Sequence, residues 1–209
     1  MPHLVLLGDS IFDNAAYVPG GSPLTDQLQG VLGEDWQVTM LAIDGAVTTD
    51  VADQLARLPQ EATHLALSVG GNDALSCAPL IRNPPDTTAA LLTDLAVVQH
   101  QFHVAYRSML QQVRNTRLPT IGCTVYDAVP GLTGQERMGL SLFNDVILRE
   151  LIRAGMAVLD LRLLCDEPRD YSELSPIEPS ETGGMKIARG LQRILLGHNF
   201  ERAETVAYC

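Results

Sequence analysis

Long hydrophobic runs are missing from this sequence. The apolar run nearest the N-terminus is Leu4–Leu7, far shorter than the core of a signal peptide or the ~20 residues of a membrane-spanning helix. We therefore expect neither a signal peptide nor a membrane span, and we interpret this run as a strand. Internal repeats, low-complexity tracts and linker-like segments are also missing, which predicts a single domain over residues 1–209.

Basic residues are scarce. Lys and Arg number 14 against 25 Asp and Glu, which gives a formal net charge of −11. Such a charge repels phosphate backbones and anionic membrane surfaces, so we expect no nucleic-acid partner. Apolar residues make up 46% of the chain and charged residues 19%, which supplies a sizeable core and excludes a disordered or fibrous chain.

Paired cysteines are also absent. The four cysteines lie far apart, with no Cys-x-x-Cys pair and no nearby cluster of histidines, so we predict no zinc site. Reduced thiols in a cytoplasm are the expected state. The sequence has no P-loop and no Gly-x-Gly-x-x-Gly pattern, and we predict neither a metal nor a cofactor. The cysteines are Cys77, Cys123, Cys165 and Cys209.

Short apolar segments that end in Gly or acidic residues alternate with longer segments of helical period. This alternation is typical of strand–helix–strand units around a parallel sheet. Right-handed connections then predict a doubly wound, flavodoxin-like three-layer α/β/α sandwich with a five-stranded parallel sheet. The predicted strands are His3–Gly8, Gln37–Ala42, Thr63–Val69, Thr120–Tyr126 and Met156–Leu161.

Three helices have recognisable start signals. Pro84-Pro85-Asp86 precedes a long amphipathic segment, and Asp86 is its expected N-cap. Thr133-Gly-Gln-Glu136 has the form of a capping box, which predicts a second helix. The last helix is predicted over about residues 181–196, with Ser180 as its N-cap.

Polar residues follow three of the predicted strands. Because ligands in open α/β sheets bind beyond the carboxyl ends of the strands, we expect the chemistry of this protein at these positions. After strand one, Gly8-Asp9-Ser10 allows a tight turn that places a serine hydroxyl near unpaired backbone N–H groups. Ser10 is therefore a candidate nucleophile, although the same tripeptide is typical of an ordinary turn.

The other two loops supply candidate donors for a developing negative charge. Gly45, after strand two, can bring its backbone N–H close to a bound oxygen. Asn72, within Gly70-Gly71-Asn72-Asp73 after strand three, can donate from its side-chain amide. Each motif alone is typical of a turn, but a hydroxyl and two donors at one sheet edge indicate a nucleophilic site.

These three motifs resemble the first three sequence blocks of the SGNH, or GDSL-type, hydrolases, a family of esterases, lipases, thioesterases and carbohydrate acyl esterases. The resemblance extends from strand one to the last helix. It implies hydrolysis of ester bonds in a small molecule or a glycan. It also implies that Ser10 is the nucleophile and that its N–H, the Gly45 N–H and the Asn72 amide form the oxyanion hole.

The last block of the family is different in this chain. That block, Asp-x-x-His-Pro, supplies the catalytic base and the acid that orients it. Here the sequence is Ser175-Pro176-Ile177-Glu178-Pro179, so Glu178 occupies the position of the histidine and Ser175 that of the aspartate. A carboxylate near its reference pKa of about 4.3 is a weaker base than imidazole, but burial raises a carboxyl pKa. Glu178 is the expected base, and the alternative is an exposed loop carboxylate or a helix-terminal charge near the last helix.

None of the five histidines is expected near Ser10. Two begin strands at the opposite sheet edge, two lie within a helix and one follows the last helix: His3, His64, His100, His103 and His198. Further candidate bases are acidic residues or a bound water.

The sequence therefore predicts an ester-hydrolysing enzyme with an atypical base. Two alternatives stay open: a binding protein that has kept the fold and lost its base, and a flavodoxin-like nucleotide binder. The acidic residues that could serve as the base in place of Glu178 are Asp9, Asp13, Asp73 and Asp170.

Overall fold

The computed structural model describes residues 1–202 and 204–209. Within these residues, six strands form one parallel sheet in the order β2-β1-β3-β4-β5-β6. The first five strands have the order of a flavodoxin-like doubly wound sheet. The strands are β1 His3–Gly8, β2 Gln37–Met40, β3 His64–Ser68, β4 Thr120–Cys123, β5 Ala157–Leu159 and β6 Ala207–Tyr208.

Helices connect the strands and cover the sheet. None of the helices that the structure describes is long and apolar enough to cross a lipid bilayer. Short 3₁₀ turns lie at residues 15–17, 48–50 and 168–170. The α-helices are α1 Leu24–Leu32, α2 Val51–Leu55, α3 Gly71–Arg82, α4 Thr88–Asn115, α5 Gly134–Arg153, α6 Leu161–Leu164 and α7 Glu181–Gly197.

The central strand β1 is buried on both faces of the sheet. Leu4 and Leu6 belong to the core that α1 and α7 cover, whereas Val5 and Leu7 belong to the core under α4 and α5. Because successive side chains of a strand point to opposite faces, a strand between two helical layers is apolar at every position. The short N-terminal apolar run is therefore a strand, as predicted.

The predicted α/β/α fold class is confirmed, but the predicted number of five strands is wrong. The sixth strand consists of Ala207 and Tyr208, which pair with Val158 and Leu159 of β5. Two residues are too few for any hydrophobic alternation to be recognised. This strand forms because its backbone pairs with β5 at the edge of the sheet.

Several boundaries also differ from the predictions. The predicted end of strand four at Tyr126 lies three residues too far, because the side chain of Asn144 in α5 bonds both backbone groups of Val125 at 2.8 Å. The long helix begins one residue later than predicted, with Thr87 rather than Asp86 as its N-cap. The caps at Thr133 and Ser180 are confirmed.

The third post-strand loop is shorter than expected. Helix α3 begins at Gly71, so Asn72 and Asp73 lie in its first turn and not in a loop. Gly70, with a φ of +124°, makes the sharp change of direction from β3 into the helix. The amide of Asn72 therefore has a helical backbone to hold it.

Candidate active site

The chain leaves β1 through a turn that requires glycine. Gly8 has a φ of +129°, and a Cβ atom there would lie 1.7 Å from the Ser68 carbonyl oxygen. The Gln54 side chain bonds both backbone groups of Gly8, at 2.7 Å and 2.8 Å. These contacts fix the point at which Asp9 and Ser10 project beyond the sheet.

Asp9 closes the turn that presents Ser10. Its Oδ1 accepts a hydrogen bond from the Ile11 N–H at 3.1 Å, and its carbonyl accepts one from the Phe12 N–H at 3.1 Å. Ser10 is 6% exposed, and its own N–H donates to no acceptor in residues 1–202 or 204–209. That N–H remains available to an oxygen of a ligand.

The loop after β2 is tied to the first turn of α3. Asn72 Nδ2 donates to the carbonyl of Ala46 at 3.0 Å, next to Gly45, whose φ is +79°. Asp73 Oδ2 accepts from both the N–H and the hydroxyl of Thr48 at 3.0 Å. An amide nitrogen has two hydrogens, so Asn72 can bind Ala46 and still donate to a ligand.

Glu178 lies in a turn that precedes α7, and several hydrogen bonds fix its backbone. Its N–H donates to the Ser175 carbonyl at 3.0 Å, and its carbonyl accepts from the Ser172 N–H at 2.8 Å. The Tyr126 hydroxyl donates to the carbonyl of Ile177 at 2.6 Å. The Glu178 residue is only 4% exposed, which excludes the alternative of an exposed loop carboxylate.

One cavity of about 120 Å³ joins these elements. Ser10, Asn72 and Glu178 all line it, together with Asp9. Three of the four residues that the sequence selected therefore share one small space. Gly45 lies outside the cavity wall, although its neighbour Ala46 is bonded to Asn72.

The Glu178 carboxyl has the electrostatics of a base. Burial raises its pKa to about 7, the charge of Asp44 adds to the shift, and side-chain hydrogen bonding with Ser10 opposes it. Its Oε2 has no hydrogen-bond partner in the described part of the chain. Near neutral pH this carboxylate can therefore accept a proton.

The neighbouring carboxyl of Asp9 also has a raised pKa. Burial raises its pKa to about 8, and the charges of Glu178 and Asp73 add to the shift, against the hydrogen bond from the Ile11 N–H. Its Oδ2 also has no partner among the described residues. The surroundings of Asp9 therefore disfavour its ionised form beside Ser10.

The remaining candidate bases lie elsewhere. No histidine of residues 1–202 or 204–209 lines the cavity, and neither do Asp13, Asp73 and Asp170. Asp170 is bonded to Lys186 at 2.7 Å, and Asp13 accepts from the Asp44 N–H at 3.0 Å. No group of three or more His, Cys, Asp or Glu side chains in the described chain is arranged to hold a metal ion.

No sequence motif marks Gln54 and Tyr126, which position the site, or the apolar wall of the cavity. Gln54 and Tyr126 act through partners distant in sequence, and neither lies in a motif. A weak signal existed for the wall, because the apolar residues of α3 keep a helical spacing.

Comparisons with known proteins identify the family and the fold of this chain. The sequence profile of the GDSL-like lipase/acylhydrolase family matches residues 6–184. The search of curated protein sequences finds no match.

Solved structures of low sequence identity share the fold. The lipase Lip_vut3 from a goat rumen metagenome has a TM-score of 0.71 and 18% identity, over 98% of this chain and 100% of that chain. Phospholipase A1 from Streptomyces albidoflavus NA297 has a TM-score of 0.66 and 19% identity, over 95% and 99%. The acetylxylan esterase Axe2 from Geobacillus stearothermophilus has a TM-score of 0.67 and 16% identity, over 96% of each chain.

Proposed function

The chain belongs to the GDSL-like lipase/acylhydrolase family, and on this basis we propose that it is a serine esterase in which Glu178 acts as the base. Family membership supports a hydrolase that acts on esters. The observation that carries the specific proposal is the Glu178 carboxyl, which is buried beside Ser10 on the same cavity as Asn72. The Oε2 atom of Glu178 has no hydrogen-bond partner among the described residues. The carboxyl therefore keeps its capacity to bind a proton.

In this mechanism the Ser10 Oγ attacks the acyl carbonyl carbon while its proton passes to Glu178. The carbonyl oxygen becomes negative and accepts hydrogen bonds from the Ser10 N–H and the Asn72 amide. The family resemblance implies the Gly45 N–H as a third donor, although Gly45 lies outside the cavity wall. Glu178 then gives the proton to the departing alcohol. In the second half, water attacks the acyl-serine and Glu178 takes the proton of that water. Glu178 then returns this proton to the Ser10 Oγ as the acyl–oxygen bond breaks and the carboxylic acid leaves.

The raised pKa of Glu178 accounts for its ability to replace a histidine. A general base works best when its pKa lies near the working pH, and a carboxyl of ordinary pKa near 4.3 is too weak at neutral pH. Burial brings the pKa of Glu178 to about 7. Because the pKa of Asp9 is raised as well, its surroundings oppose two adjacent negative charges in the cavity.

Ser175 stands where the family has its orienting aspartate, and this replacement also fits a carboxylate base. The orienting acid of a serine hydrolase fixes the tautomer and direction of an imidazole ring. A carboxylate has no tautomers, so only its direction needs to be fixed. The hydrogen bonds of Ser172, Ser175 and Tyr126 to residues 177–178 restrain the backbone that carries this carboxylate.

We also propose a small-molecule or glycan ester as the substrate and a cytoplasmic location. Four free cysteines in the structure support a reducing compartment. The net charge of −11 argues against a nucleic-acid partner.

Labelling and turnover test the proposal together. We expect a fluorophosphonate probe to label the wild-type protein on Ser10 and short acyl esters to be hydrolysed, with both activities lost in Ser10→Ala. Glu178→Gln should lower kcat by about 10²–10⁴-fold, since the base is removed from the proton transfer. Glu173→Gln, at an exposed glutamate of the same segment, is the matched control and should keep wild-type activity.

A different set of results identifies a binding protein that has lost its base. The wild type would then hydrolyse nothing and leave the probe unreacted, whereas Glu178→His, with or without Ser175→Asp, would gain esterase activity. This outcome overturns the proposed role of Glu178.

A further inference from the structure

The inner face of α3 is apolar, and the protein core covers it only in part. Its residues recur at the i, i+3, i+4, i+7 spacing of an amphipathic helix and are Ala74, Cys77, Ala78 and Ile81. All four line the cavity beside Ser10, and α3 contains no fully buried residue. Since an apolar face is stabilised by removal from water, this face is suited to an apolar ligand.

The opposite wall of the cavity is also hydrocarbon. It is built from α4, α5 and the segment before α5, and includes Leu95, Val98, Leu132, Leu140 and Phe143. A sugar would leave its hydroxyl groups without partners against such a wall. An apolar cavity of about 150 Å³ accommodates benzene, so the 120 Å³ present here suits a slender hydrocarbon chain.

The two ends of the cavity differ in chemistry. Asn72 lies in the first turn of α3 and Arg82 in the last, a separation of ~15 Å at ~1.5 Å per helical residue. At the far end, Arg82 Nε donates to Glu136 Oε1 at 2.7 Å, and both residues line the cavity. This ion pair joins the end of α3 to the first turn of α5, where the apolar wall stops.

We propose that this cavity holds the unbranched acyl chain of the ester and that the Arg82–Glu136 ion pair limits the length of that chain. The proposal rests on the ester-hydrolysing function above. Each methylene that reaches the apolar wall adds binding in the transition state. A chain that reaches the ion pair must stop there or displace it, because hydrocarbon packed against charged groups removes their water.

Arg82→Met tests the limit, since it removes the guanidinium and keeps a long apolar side chain. With p-nitrophenyl esters from acetate to palmitate, wild-type kcat/KM should rise with chain length and then fall. In Arg82→Met the fall should move to longer chains, and the ratio of kcat/KM for palmitate to that for butyrate should rise about tenfold or more. Ala78→Leu, which fills the cavity, should move the fall to shorter chains.

The matched control is Arg149→Met. It breaks the exposed ion pair of Arg149 with Asp145 on α5, at 2.9 Å, and changes the net charge equally without touching the cavity. Its chain-length profile should equal that of the wild type.

Binding without catalysis separates this inference from the proposed function. Methyl ketones of the same chain lengths would be titrated calorimetrically into Ser10→Ala, with and without Arg82→Met. An identical length limit with and without Arg82→Met overturns the inference, even if esters are hydrolysed. A ketone limit that shifts in Arg82→Met, combined with no ester turnover by the wild type, supports the inference and rejects the esterase.

Discussion

Buried carboxylates occur in two regions of this molecule, and their surroundings are opposite. Glu150 of α5 is 5% exposed and contacts Arg153 at 2.6 Å and His103 at 2.9 Å. Burial acts to raise its pKa, but these partners lower the pKa below its usual value. Asp9 and Glu178 are at least as buried, yet no cation contacts them in the described chain, and their pKa values are raised.

Asp160 is a second buried carboxylate outside the cavity, and like Glu150 it has a cationic partner. Asp160 accepts hydrogen bonds from Arg162 and from the Thr124 hydroxyl, and its pKa is lowered although burial acts to raise it. Removal of a buried partner of this kind leaves the other uncompensated. Such carboxylates stay ionised and serve the fold, whereas those in the cavity can exchange protons near neutral pH.

The largest effect that this comparison predicts concerns the polar groups of the cavity. Asn72→Ala should lower kcat about 10²–10³-fold, because one donor to the oxyanion is lost. Glu150→Gln, at a buried group of the other region, should leave kcat at the wild-type value. Steady-state kinetics on a short acyl ester measures both, and an equal loss in the two variants would contradict the distinction.

The pH dependence of activity should report the raised pKa of Glu178. The base must be ionised, so kcat/KM should rise with pH through a midpoint at about 7 and fall about 50-fold between pH 7 and pH 5. A profile measured with a neutral ester checks this. A midpoint near pH 4 would assign the base an ordinary, solvated pKa and reject the role given to burial.

The free energy of unfolding should instead depend on the ion-paired carboxylate Glu150. Glu150→Gln should lower the free energy of unfolding at pH 7 by about 1–3 kcal/mol, since charged hydrogen bonds are weakened. The pKa of Glu150 is lowered in the folded chain, so this stabilisation is present above the unfolded pKa of about 4.3 and is lost as the pH falls through the folded pKa. Urea unfolding of both proteins at pH 7 and pH 3 measures it; a difference that persists undiminished at pH 3 contradicts the ion-pair explanation.

The effect expected at Asp9 has the opposite sign. Its folded pKa is raised from 3.8 to about 8, so between these values the native state keeps a proton that the unfolded chain has released, and stability falls as the pH rises. Asp9→Asn cannot ionise and should therefore be more stable than the wild type at pH 9, by about 5 kcal/mol, because each pKa unit is worth about 1.4 kcal/mol. At pH 4 the two proteins should unfold alike. Thermal unfolding at both pH values tests this, and an equal difference at both would point to packing rather than ionisation.

Local signals in the sequence predicted those parts of the fold that depend on neighbouring residues. The apolar run of β1, the capping box of Thr133 with Glu136 and the cap at Ser180 are examples. The end of β4 was misplaced because Asn144, distant in the chain, takes the hydrogen bonds of Val125. Strand β6 was missed because a two-residue strand has no pattern of its own.

The same division holds for the candidate site. Ser10, Gly45, Asn72 and Glu178 were selected from motifs, since each follows a strand or precedes a helix and such places are marked by short polar and glycine-rich segments. Their order along the chain also predicts that they lie at one edge of the sheet. Spacing alone does not report how deeply a side chain is buried or which groups surround it.

The amino-acid sequence by itself determined the parallel sheet, its helical crossovers and the chemical groups available at its carboxyl edge, because periodicity and turn chemistry act over a few residues. The tertiary structure alone decided that Glu178 is buried with no cation of the described residues beside it, that Asp9 shares its cavity and that Ser10 and Arg82 line the same apolar cavity. Solvent exclusion and electrostatic fields depend on segments that are distant in the chain and adjacent in space, and those distances exist only once the chain has folded.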